Sequence, residues 1–109
     1  RPTAHAFIAS IDSHPVGLTI GFEGFSTFEC KPLINLHDLV VHPDHRRKGV
    51  ASSLLLAAEA YAKEQDMCKL TLEVLQGNGP AKKTYKEVGW APYDLGSENG
   101  IAEFWQKKL

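Results

Sequence analysis

The sequence predicts a mixed α/β (α+β) fold, a sheet flanked by helices, on three observations. Three strand-like segments separated by turn formers fill the chain up to Val41, the middle one alternating at period two, the spacing changes at Val50 to that of a helix, and a strand pattern returns at Lys69. At 109 residues the chain suits one hydrophobic core and shows no internal linker, so a single domain over residues 1–109 is expected.

Ala4 to Ile11 forms the first strand, because Phe7 and Ile8 lie in an apolar run that stops at the turn formers Asp12-Ser13-His14-Pro15. Val16 to Phe28 follows with Val16, Leu18, Ile20 and Phe22 at period two, and the two strands should pair as an antiparallel hairpin. Gly17, Gly21 and Gly24 weaken the second strand and mark a bulge, a tight packing point or its end. Leu33 to Val41 supplies a third strand up to the break at Pro43.

From Val50 the apolar positions Val50, Leu54, Ala57, Ala58 and Tyr61 fall at helical spacing in an Ala- and Leu-rich segment, which predicts a helix to about Gln65. Lys69 to Leu75 alternates again, and the crossover of the resulting strand–helix–strand unit implies parallel pairing, or at least adjacency, in one sheet. A shorter helix is expected over Pro80 to Val88, stopped by Gly89 in a left-handed cap. Trp90 to Tyr93 and Ile101 to Lys107 then suggest a closing antiparallel hairpin.

Composition narrows the function. Apolar residues at 43% and charged residues at 23% are those of an ordinary globular protein, and Val50 to Ala62 is interrupted by Ser52, Ser53 and Glu59, so no stretch reads as a membrane span. No signal peptide is visible, and Cys30 and Cys68 are two isolated thiols without CxxC spacing; a reducing, cytoplasmic setting is expected. His5, His14, His42 and His45 have no metal spacing and read as surface or turn residues, so no metal is expected. A net charge of −1 supplies no global field for nucleic acid or anionic lipid, and any anion site must be local.

The segment from Leu39 to Ser52 offers such a site. It runs from a strand end through His42-Pro43-Asp44-His45-Arg46-Arg47-Lys48-Gly49 directly into a helix N-terminus. The first helical N–H groups lack intrahelical partners, the helix dipole adds positive character, and glycine allows an anion close to the backbone. The same residues also fit a solvated basic turn. Neither GxxxxGK[ST] nor GxGxxG is present. A helix-turn-helix contact of Arg46, Arg47 and Lys48 with DNA is disfavoured by the flanking strands and the lack of positive charge.

The order of residues is more specific than the charge. Arg46-x-x-Gly49-x-Ala51 resembles the Q/R-x-x-G-x-G/A signature of the GNAT superfamily of N-acetyltransferases. The preceding strand and the run Asn78-x-x-Ala81-x-x-x-Tyr85-x-x-x-Gly89-Trp90 resemble that family at the expected separation, and Asp38-Leu39-Val40-Val41 is similar to the spermidine/spermine and related small-amine enzymes. The resemblance implies the acyl-CoA N-acyltransferase fold: a mostly antiparallel mixed sheet with a central, splayed parallel pair and flanking helices.

It also implies roles. Acetyl-CoA would be the co-substrate, its pantetheine arm pairing with the edge of Leu39, Val40 and Val41, where a backbone N–H polarises the thioester carbonyl. Its diphosphate would lie on the amides of Arg47, Lys48, Gly49, Val50, Ala51 and Ser52, with Arg46 beside them. Asn78 would contact pantetheine or fix its loop, and Ala81 would leave room for the cofactor. Tyr85 matches the family's general acid: a CoA thiolate, with a free-thiol pKa of about 8.5, leaves more readily beside a donor still protonated at neutral pH. By spacing alone Tyr85 reads as a core aromatic pointing into the sheet, and only the motif favours the functional role.

An alkylamine acceptor must lose a proton before it attacks, and His37, Asp38 and Glu73 are the candidate bases. In the polyamine enzymes an acidic residue stands in the place of His37, and imidazole is well suited to base catalysis near neutral pH. Neighbouring strand residues face opposite sides, so His37 and Asp38 share a cleft only if a bulge intervenes. His37 is slightly favoured.

A family domain usually begins with a strand and two helices that wall the acceptor site, and these are not in this sequence, which opens at Arg1. The expectation is an N-terminally truncated GNAT domain, a fragment or a short form completed by a homodimer partner across an exposed sheet edge. The expected activity is acetyl transfer from acetyl-CoA to a primary amine of a small molecule by direct attack, without nucleic-acid or membrane partners. The alternative is a non-catalytic acyl-CoA-binding or regulatory module of the same fold.

Overall fold

A computed structural model of the chain describes residues 3–27, 29–73, 79–91 and 105–109. Its elements are β1 (Ala4–Ile11), β2 (His14–Ser26), β3 (Lys31–Val41), a 3-10 turn at Pro43–His45, α1 (Val50–Glu64), β4 (Leu70–Leu72) and α2 (Gly79–Glu87). The sheet order is β1-β2-β3-β4. The first two pairings are antiparallel and the third, β3 with β4, is parallel. The strand–helix–strand unit thus has the expected hand-over from β3 through α1 to β4. Phe28 and residues 74–75 of the anticipated strands lie outside the described residues, as does 92–104 of the anticipated hairpin; Trp90, Ala91 and residues 105–107 are described and lie in no strand.

Helix α1 covers one face of the sheet. Its buried residues Val50, Leu54, Leu55, Ala58 and Ala62 recur at three- and four-residue intervals. They meet two clusters, one with Ile34 and Leu36 of β3 and one with Val16 of β2. Ala57, anticipated on this face, is exposed.

Strand β2 corrects a second expectation. Its apolar residues Leu18, Ile20 and Phe22 face away from α1, and Phe22 remains 42% exposed. After Val16, the face under α1 is instead made of Gly17, Thr19 and Gly21. Small residues there let the helix and β3 side chains come close: a β-carbon on Gly21 would stand 2.5 Å from Ile34 Cγ2 and 2.9 Å from Leu36 Cδ2. Gly21→Ala should therefore destabilise the protein by about 1–3 kcal/mol through overpacking, seen as a lower urea midpoint. An unchanged midpoint would show that the core yields at no cost.

His5 also departs from expectation. It alternates with Phe7 and Ala9 on the helix face of β1, its ring centroid 5.0 Å from that of Tyr61 and its Nε2 3.3 Å from the Glu23 carboxylate, with only 13% of the side chain exposed. A histidine in the buried phase of a strand follows that phase inward. Among the described residues no helix is long and apolar enough to cross a membrane, and no cluster of three His, Cys, Asp or Glu side chains could hold a metal.

Candidate active site

Strand β3 changes phase in its middle. Ile20 pairs with Asp38 but Gly21 pairs with Leu36, leaving His37 as an extra residue, a β-bulge. Before it, Ile34 and Leu36 face α1; after it, Leu39 and Val41 do. Both His37 and Asp38 therefore project on the face away from α1, the condition under which they share a cleft. Each is exposed, and the edge of the Phe22 ring orients His37 at a centroid separation of 4.7 Å. No motif in the sequence marks Phe22 for this contact, because its strand carries none.

The bulge also turns the backbone. Ile34 N–H donates to Lys69 O on the β4 side, whereas His42 N–H, eight residues on, donates to Val16 O of β2. In an unbroken strand both would point the same way. The carbonyl of Asp38 faces β2, where it accepts a hydrogen bond from Thr19 Oγ1 at 2.7 Å. That peptide bond is trans, so its Leu39 N–H points the opposite way, off the β4 side of β3. Val41 repeats the pattern: its carbonyl lies opposite the His42 N–H and accepts from Arg46 Nε at 3.3 Å.

Pairing with β4 covers only Ile34 to Leu36, and Glu73, the next described residue, is exposed and unpaired with β3. From Leu39 to Val41 the edge of β3 thus has no strand partner among the described residues. The described pairing of β3 with β4 ends at Leu36, immediately before the bulge, and leaves the Leu39 N–H without a strand partner among the described residues.

At the end of that edge the chain passes through the basic loop into α1. Arg47 (φ 62°) and Gly49 (φ 80°) both adopt left-handed backbone, a geometry that gathers successive N–H groups around a concavity. Gly49 caps α1 without a side-chain hydrogen bond, so the first amides of the helix keep no side-chain acceptor. A β-carbon on Gly49 would meet nothing within 4 Å; the space that glycine leaves is open. Arg46, Arg47 and Lys48 are exposed around it. An anionic diphosphate fits this cradle by charge, by donor count and by room.

Tyr85 lies on α2, on the same face as α1, half-buried against the cluster of Ile34, Leu36, Leu55 and Ala58 and with its ring 6.2 Å from Trp90. Burial pushes its hydroxyl above the ordinary value of 10.0, so it is a neutral donor at physiological pH. Gly89, at φ 93°, ends the helix as expected and lets Trp90 N–H return to Tyr85 O at 2.9 Å. Ala81 is half-buried on α2, and Asn78 lies outside the described residues. Desolvation, with the Glu29 carboxylate nearby, pushes the Cys68 thiol up from its ordinary 9.0, which disfavours the thiolate.

Three comparisons bear on this arrangement. The acetyltransferase (GNAT) family model matches residues 1–90. Thialysine N-epsilon-acetyltransferase of Caenorhabditis elegans is 30% identical over 86 residues, covering 79% of this chain and 53% of that protein. Streptothricin acetyltransferase of Streptomyces lavendulae is 34% identical over 71 residues, covering 65% of this chain and 38% of that one. A solved structure of a putative acetyl transferase from Pyrococcus furiosus superposes with a TM-score of 0.77 at 26% identity, covering all 100% of this chain and 68% of the other. The chain thus spans about half the length, or less, of these two curated relatives.

Proposed function

The chain belongs to the acetyltransferase (GNAT) family, and from that premise we propose that it carries an acetyl group from acetyl-CoA to a primary amine of a small molecule by direct attack. The observation that supports this most is the conjunction at β3: a bulge, an open edge with the Leu39 N–H turned outward, and a glycine-capped helix start immediately downstream.

Acetyl-CoA supplies an activated acyl group as a thioester. The residues of the chain do the rest. Amides of Arg47 to Ser52 hold the diphosphate, with the cations of Arg46, Arg47 and Lys48 beside it, and the β3 edge aligns the pantetheine arm as an added strand. The Leu39 N–H meets the carbonyl oxygen, where negative charge grows as the amine approaches. The acceptor comes from the face that bears His37 and Asp38. His37, directed by Phe22, takes the amine proton, directly or through water. Tyr85, on the opposite face, gives its proton to the departing thiolate. A C–N bond forms, a C–S bond breaks, and the protons pass from amine to base and from phenol to sulfur.

Related proteins named for streptothricin and thialysine acetylation support an amine acceptor. Exposed Cys30 and partly exposed Cys68 are free thiols and suit a reducing, cytoplasmic location. Among the described residues β1 has a strand on one side alone, and a second copy pairing along that edge would complete a homodimer. The test is release of free thiol from acetyl-CoA over a panel of primary amines. Turnover with at least one small amine is expected; saturable acetyl-CoA binding with no turnover on any amine would leave a non-catalytic acyl-CoA-binding module.

A further inference from the structure

We infer that Thr19 is a positioning residue for acyl transfer: its buried hydroxyl fixes the peptide between Asp38 and Leu39 so that the Leu39 N–H faces the acyl carbonyl. This rests on the acetyltransferase reading and adds to it a residue that lies in another strand and outside every motif of the sequence.

The geometry is specific. Thr19 is fully buried (0% exposed), and its Oγ1 reaches across from β2 to the Asp38 carbonyl at 2.7 Å. That carbonyl belongs to the peptide immediately after the bulge at His37, where the ladder between β2 and β3 slips by one residue. A bulge loosens the regular pairing that would otherwise hold a peptide plane in the sheet. An extra donor at this point restores the constraint.

Because the peptide is planar and trans, fixing its C=O fixes its N–H. Holding the carbonyl against β2 aims the N–H outward, off the open edge of β3. A buried hydroxyl needs an acceptor in any case, and a carbonyl on its own strand is the nearer choice for many threonines. Here the acceptor is instead a carbonyl of the neighbouring strand, the one next to the bulge, whose amide partner faces the open edge. Leu39 and Val41 on either side of Val40 pack against Val16, Val50 and Leu54, so the surrounding strand is already anchored by side chains. Loss of the hydroxyl should therefore tilt one peptide without dissolving the fold.

Misplacing a catalytic donor by about 1 Å costs up to about a hundredfold, and removing an oxyanion donor about 10² to 10³. Thr19→Val keeps the shape and deletes only the donor. Expected for Thr19→Val are a cooperative unfolding transition, a CoA affinity within about threefold of wild type by calorimetry, and a kcat lower by about ten- to thirtyfold on the best amine, a partial loss of the donor's effect. Thr19→Ser, which restores the hydroxyl, should return kcat to within about threefold of wild type; a residue that only fills space would not discriminate serine from valine in this direction. If Thr19→Val does not fold, the smaller Thr19→Ala takes the same comparison. A folded valine or alanine variant with wild-type kcat overturns the inference alone. A wild-type protein that neither binds acetyl-CoA nor acetylates any amine overturns the functional reading, and the role of Thr19 with it.

Discussion

Tyr85→Phe is expected to lower kcat by about a hundredfold or more while CoA affinity changes less than about threefold. Phenylalanine keeps the ring packed against the Ile34, Leu36, Leu55 and Ala58 cluster and against Trp90, so the variant removes the proton and little else. The pH profile separates this from a packing effect. Burial raises the Tyr85 pKa, so the acid form persists past the ordinary 10.0 and is lost only as pH rises through the raised value. The wild-type kcat should accordingly show an alkaline fall that begins above about 10 and vanishes in Tyr85→Phe. A Tyr85→Phe variant with wild-type kcat would remove the phenol from the chemistry and leave it as a core aromatic.

The second large effect concerns a backbone atom. Replacing the Leu39 residue by its α-hydroxy acid analogue turns the preceding amide into an ester and deletes one N–H while leaving the side chain intact. Kcat should fall by about 10² to 10³. Stability should barely change, because that N–H faces the open edge and makes no ladder bond to β2. The same exchange at His42 is the control: its N–H donates to Val16 O at 2.8 Å, so the ester should cost about 1 kcal/mol of stability. It should leave the chemical step far less affected than the Leu39 ester. Equal kcat for the Leu39 ester and the amide would show that the oxyanion donor lies elsewhere.

These two residues also show what the sequence makes visible. Tyr85 and the loop from Arg46 to Ser52 stand in short, ordered motifs, because helix starts and helix faces are encoded locally by a few adjacent residues. The helix α1, the parallel pair and the Gly89 cap follow from the same local rules, and the structure has each of them. Strand β2 was harder. Hydrophobic alternation puts Leu18, Ile20 and Phe22 on one face with Val16, yet only Val16 is buried under α1, and beyond it the inward residues are Gly17, Thr19 and Gly21, because close approach of Val50, Ile34 and Leu36 requires small residues there. Apolar residues on the other face gave the stronger pattern and pointed the wrong way.

The bulge lay beyond local rules altogether. Nothing in the residues Leu36-His37-Asp38-Leu39 distinguishes a bulged strand from a straight one; the slip is set by register with Ile20 and Gly21 of β2, far outside any local motif. Yet it decides where His37 and Asp38 point and which amides are left open. The sequence could state the condition, that the two side chains share a face only across a bulge, while the fold supplies it. The contribution of Thr19 and the contact between Phe22 and His37 follow from the same long-range register.

The most direct measurement is a nitrogen–proton correlation spectrum of the folded protein titrated with CoA. Gly49, Val50, Ala51 and Ser52 at the helix start, with Leu39 and Val41 on the open edge, should shift together and saturate at one concentration of CoA. Saturable binding that leaves those six amides unmoved, or no binding at any accessible concentration, would contradict the account.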